Sequence, residues 1–186
     1  MVSIAKKANV SKGTLYVYFL TKEALFLDYA KHEIEQFFER LNFYLTQKVQ
    51  SSGIENVTHA LKQAYSDSED MIRLLSILHN VLESNAGFEN ALDFRQSLLP
   101  LLETAGQHCE QQLSFIPSGE GKRLLLTIHG ISLGLHQLSN PSDTIKKVEQ
   151  QTDMSLYQFD FKTELLTTVD LLLAGMEVRA SKKTHK

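Results

Sequence analysis

Seven histidines, one cysteine and a lysine-rich start supply the chain's candidate chemistry. His32-Glu33-Ile34-Glu35-Gln36 begins like the zinc-protease His-Glu-x-x-His, but Gln36 stands where the second imidazole ligand belongs. Gly119-Glu120-Gly121-Lys122-Arg123 has the glycines and lysine of a phosphate-cradling loop. Ile116 occupies the place of its first glycine and Arg123 that of its hydroxyl residue, so a helix-entry turn is the better reading. His129 and His136 share one helical face, with His79 and His108 on other helices; pocket lining competes there with ordinary satisfied histidines. Cys109 lies in an apolar stripe, where a free thiol is packing material. A single cysteine excludes a disulfide framework or a Cys-based zinc site. No Ser, His and Asp set gathers at a glycine-rich strand–helix junction. These patterns predict no enzyme, no metal site and no cofactor. The positive signal is electrostatic. Residues 1–22 hold Lys6, Lys7, Lys12 and Lys22 and no acid, whereas the rest hold 15 basic and 22 acidic groups. A basic head on an acidic body suits a polyanion at one end only.

The elements that must position these groups are helices. The chain has 186 residues, 42% hydrophobic and 22% charged, which is ordinary globular usage; 9 Gly and 3 Pro disfavour a turn-rich β fold. Phe26, Ala30, Ile34, Phe37, Leu41, Leu45 and Val49 recur every three to four residues, predicting a long helix over 22–49 capped by Thr21. Met71, Leu74, Leu75, Leu78 and Leu82 mark another, capped by Ser68 and ended by Asn85-Ala86-Gly87. A third stripe runs from Ala91 to Leu113, with Pro100 expected to kink or divide it. Residues 123–138 are apolar nearly all round and 161–178 carry a wide stripe. Between them, 139–160 reads as a loop or short irregular helix, in which Tyr157, Phe159 and Phe161 alternate too briefly to make a sheet. Residues 179–186 read as a disordered basic tail. The longest apolar stretch, 124–138, is too short to span a bilayer and contains His129, Ser132 and His136. No signal-peptide pattern opens the chain. The expectation is an all-α, cytoplasmic protein with no membrane partner.

Residues 4–19 read as two short helices around a tight turn. Ile4 and Ala8 are one turn apart, Asn9 suits the left-handed conformation, Val10 plugs the corner, and Ser11 caps a second helix bearing Leu15 and Phe19. Small Ala5 lets the helices approach. This is the helix-turn-helix arrangement, whose second helix enters the DNA major groove. The run Ile-Ala-x-x-Ala-x-Val-Ser-x-Gly-Thr-Leu-Tyr-x-Tyr-Phe, followed by Thr21-Lys22-Glu23-Ala24-Leu25-Phe26, closely resembles the tetracycline-repressor (TetR) family of bacterial transcriptional regulators. Asn9 replaces the glycine usual at the turn. The resemblance also implies a helix ahead of the motif, and its absence predicts a loose head with weak, salt-sensitive DNA binding.

The resemblance implies roles that the residues' chemistry supports. Ser11, Lys12, Gly13 and Thr14 would meet phosphates and base edges at the start of the recognition helix, with Gly13 allowing close approach. Tyr16 and Tyr18 would donate to phosphate, although Tyr18 competes for a place in the core, and Lys22 matches the family's phosphate-contacting lysine. The implied organisation is a DNA-binding head over 1–30, a helical ligand-binding and dimerisation domain over 31–178, and the tail 179–186. The implied partners are a double-stranded DNA operator, an apolar or amphipathic small-molecule effector, and a second copy of the chain. Phe37, Leu41, Tyr65, Leu78, His79, Leu102 and Cys109 are the candidate cavity wall, and 123–138 with 161–178 the candidate homodimer interface. The function expected is a repressor released by its effector; the alternative is a helical ligand-binding or heterodimerising module that no longer binds DNA.

Overall fold

The computed structural model describes residues 1–47, 52–66, 68–151 and 160–184, and all regular structure among them is helical. The head comprises α1 (Val2–Lys7), α2 (Lys12–Tyr18) and the start of α3 (Lys22–Leu45). The body follows as α4 (Gly53–Ser66), α5 (Glu69–Ile77), a π-helical stretch (Leu78–Glu83), α6 (Ser84–Ala86), α7 (Phe88–Gln112), α8 (Gly121–Ser139), α9 (Asp143–Gln151) and α10 (Phe161–Thr184).

Local chemistry sets most boundaries. Thr21 Oγ1 accepts from the Ala24 amide at 3.0 Å and opens α3. Its apolar stripe buries Ala30, Ile34, Phe37, Leu41 and Leu45, and it packs against α4 and α7. The helix ends at Leu45; Val49 falls outside the described residues. α7 packs on α8, while α10 closes the body against α4 and α8. Leu41, Leu113, Val169 and Leu173 are fully buried in this core.

Several expectations change. Ser68 does not cap α5 with its side chain: fully buried, its hydroxyl donates to the Ala64 carbonyl (2.6 Å) and accepts from Arg40 Nη2 (2.8 Å). Between Ile77 and Ser84 the helix widens into a π stretch, and Ser84 Oγ reaches back to the His79 carbonyl at 2.7 Å. Leu78 and Leu82 of this stretch are buried in the core. Gly87, at φ 90°, ends this path. α7 runs through Pro100 undivided, with that proline exposed. Within the stretch expected to be a loop or short irregular helix, residues 143–151 form a regular amphipathic helix, α9, although none of it is buried. The supposed tail is helical to Thr184, as a continuation of α10. Tyr157 and Phe159 fall outside the described residues.

The Gly119–Gly121 turn is a helix entry. Glu110 Oε1 accepts from the Gly119 (2.9 Å) and Gly121 (2.7 Å) amides, so a carboxylate of the chain fills the place a phosphate would take. A Cβ on Gly121 would collide with the Gly106 carbonyl, which shows how closely α7 and α8 cross there.

Candidate functional site

Two sites emerge, one on the surface of the head and one inside the body. In the head, Asn9 takes φ 55°, the only positive φ of a non-glycine residue among those described, and turns the chain between α1 and α2. Ser11 Oγ then accepts from the Thr14 amide (3.0 Å) and lies 2.8 Å from Thr14 Oγ1, fixing the start of α2. Ala5 and Leu15 are buried between the helices. Val10 does not plug the corner: it stays 42% exposed.

Each of the predicted contact residues is exposed. Ser11, Lys12, Gly13 and Thr14 are exposed at the start of α2, and Lys12 Nζ lies 5.5 Å from the Tyr16 ring centre, a cation–π distance. Tyr18 is 76% exposed, which removes its competing core role. Lys22 is exposed, with Glu23 Oε1 3.6 Å away. Gly13 is informative because nothing in the protein demands it. Its backbone is not left-handed, and an added Cβ would meet only Ser11 Oγ, at an ordinary 3.6 Å. A helical glycine costs about 1 kcal/mol against alanine. The protein's own packing offers nothing that offsets this. Val17 and Leu20, which sequence reasoning passed over, are each 80% exposed on the same head; their lack of charge gave no signal.

In the body, a cavity of about 170 Å³ lies between α3, α4, α5, α7, α8 and the π stretch. Phe37, Tyr65, Leu78, His79 and Leu102 stand on its wall as expected. Leu41 and Cys109 do not: both are fully buried one layer deeper, where α3 and α7 pack solidly. Burial, with Glu110 nearby, pushes the Cys109 thiol up to about 12, so it stays protonated. Ile34, Phe38, Leu61 and Ile128 also line the cavity, but a helical stripe does not reveal which of its members face a void.

The polar end of the cavity joins three elements. Glu83 accepts from Arg95 through both Nε and Nη2, the latter at 2.7 Å, and lies 2.7 Å from His79 Nδ1. Partial burial opposes ionisation of Glu83, but the hydrogen bonds from Arg95 and His79 outweigh it and hold the carboxyl below its usual range. Burial, then His79 and Arg95, depress His129, leaving it neutral near pH 7. Burial pushes the Tyr65 phenol up to about 12 despite a hydrogen bond with Ser132. Arg95 was missed because its partner lies twelve residues away on another element. Two further histidines have ordinary partners: His108 Nδ1 meets Asn42 Oδ1 at 2.9 Å, and His136 packs edge-on against Phe161. Among the described residues no group of three His, Cys, Asp or Glu side chains is arranged to hold a metal, and no helix is long and apolar enough to cross a membrane.

No curated protein matched the chain. Family comparison found two matches: residues 1–29 match the bacterial regulatory proteins of the tetR family, and residues 31–180 match the tetracyclin repressor-like C-terminal domain. The first begins at residue 1 and so lends no support to the expectation that the head lacks its first helix. With an exposed helix-turn-helix surface and a matching helical body, the chain belongs to the tetR family and is a ligand-responsive, DNA-binding transcriptional regulator.

Proposed function

We propose that this chain is a repressor that holds its operator as a homodimer and releases it when a small apolar or amphipathic molecule enters the body cavity. The observation that supports this reading is that one helix, α3, runs from the head to the wall of the body cavity. α3 opens at Lys22 beside the DNA-facing surface and presents Ile34, Phe37 and Phe38 to the cavity, roughly 20 Å along its axis at 1.5 Å per residue. A ligand that favours one packing of α3 in the body shifts the spacing of the two heads in a dimer, and so shifts operator affinity by its differential binding to the two states. At about 170 Å³ the cavity is below the roughly 300 Å³ of typical ligand pockets, so a larger effector must widen it.

Dimerisation through α8 and α10 is supported by what those helices leave uncovered. Leu126, Leu138, Leu171 and Val178 are more than half exposed, and a Cβ on Gly130, Gly134 or Gly175 would meet nothing within 4 Å. Two such faces in isologous contact make a four-helix interface. Leu172 is partly packed on its own core, so Leu171→Glu is the cleaner disruption. Light scattering of that variant is expected to give a folded monomer from a wild-type dimer; a wild-type monomer at micromolar concentration refutes the assembly.

The deciding experiment selects a duplex from a random pool with the full chain, then titrates it across salt concentrations. A repressor of this kind yields a two-half-site sequence and a steep salt dependence. Lys12→Ala and Lys22→Ala should each flatten the slope by about one unit per subunit. Failure to enrich any sequence overturns the operator reading.

A further inference from the structure

The ionisable groups facing the body cavity share one character. They are Tyr65 from α4, His79 from the π stretch, Arg95 from α7 and His129 from α8; α3 and α5 contribute only apolar side chains. No carboxylate lines the wall. Glu83 stands behind it, holding Arg95 by Nε and Nη2 and His79 by Nδ1, which orients both toward one end of an otherwise apolar chamber. Arg95 Nη1 has no hydrogen-bond partner among the described residues. Resting on the effector reading above, we infer that the molecule this cavity takes is a small monocarboxylate with an apolar ring or short alkyl body, its carboxylate against Arg95, His79 and His129.

The size and the charge agree. An apolar cavity of about 150 Å³ accepts one benzene ring, and the chamber here is about 170 Å³. A guanidinium already braced by an acid loses little freedom when it binds a second carboxylate, and the charge-assisted hydrogen bond favours an anion over its neutral isostere. Because Arg95 and His79 are about half exposed, water screens part of that preference, and about tenfold is the expected scale. Burial, with repulsion from His79 and Arg95, holds His129 below its ordinary value; an anion beside the ring opposes both, so binding should take up protons.

The test uses the full chain with three probes of nearly one shape: benzoate, benzamide and toluene. Calorimetry in two buffers of different ionisation enthalpy reads affinity and proton uptake together. Benzoate should bind about tenfold more tightly than benzamide, with proton uptake near pH 7. Arg95→Gln should bring benzoate down to the benzamide level while leaving benzamide unchanged, and Arg95→Lys should restore part of the preference. His129→Gln should reduce the proton uptake. Equal or tighter binding of the neutral probes overturns the anion inference while leaving the cavity as the effector site. No binding by any of the three overturns the inference that the cavity takes a molecule of this size and charge, and leaves only a larger effector that widens it. The duplex titration then stands as the independent measure of the regulator reading.

Discussion

The head and the body build two kinds of site from the same secondary structure. In the head, α2 buries Leu15 alone and leaves Tyr16, Val17 and Tyr18 to solvent; its small core of Ala5 and Leu15 is not continuous with the body's. Phe26 packs against the body core and the Tyr29 hydroxyl donates to Asp70 at 3.2 Å, so α3 commits to the body within two turns. The body buries apolar side chains from α3 through α8, and from α10, in one cluster and keeps its site within it. A surface that must lie against a polymer spends few residues on its own packing. A chamber for a small molecule needs walls on every side. The head is therefore expected to be the less stable unit, opening locally while the body stays folded.

The largest effect that sharpens this contrast is Leu41→Ala. It removes a fully buried side chain from solid core and should cost about 3 kcal/mol in urea unfolding of the whole body. Leu15→Ala should instead speed amide exchange over residues 3–19 and weaken DNA binding, with the body's urea midpoint unchanged. An equal midpoint shift in both variants would merge head and body into one cooperative unit.

Two glycines then separate fold from function. Gly121→Ala drives a methyl into the Gly106 carbonyl and should destabilise by about 1–3 kcal/mol, seen as a lower melting temperature. Gly13→Ala has room for its methyl and should stabilise α2 by up to about 1 kcal/mol while weakening operator binding. If Gly13→Ala leaves binding intact, the argument for close approach from outside fails.

A smaller effect is pH-dependent. His129 is held below its ordinary value by burial, then by His79 and Arg95. Its unfolded form therefore binds more protons in the window between the folded value and about 6.5. The contribution is fully present above that window and is lost as pH falls through it. His129→Gln should flatten the stability profile there, and an unchanged profile would exclude His129 as its source. Smallest of all is the exposed Lys122–Glu103 pair at 2.5 Å: Glu103→Gln should leave the urea midpoint unmoved within error.

What the sequence determined by itself is local. The left-handed Asn9, the Ser11 cap on Thr14 and the Thr21 cap on Ala24 join residues no more than three apart, so their geometry follows from the residues alone. The head surface was legible for that reason, and so was the all-helical class, since periodic apolar stripes need no knowledge of their partners. Tertiary structure decided the rest. Whether Ile34 or Leu41 meets a void depends on how far α3, α7 and α8 slide past one another, to which a stripe is indifferent. The Glu83–Arg95–His79 cluster joins two residues of the π stretch to a third on α7, and the Gly119–Gly121 turn is settled by Glu110 from the helix before it. Caps are made of bonds within one turn of chain. Cavities and charge clusters are made of the distances between helices, and those are fixed only when the whole core is packed.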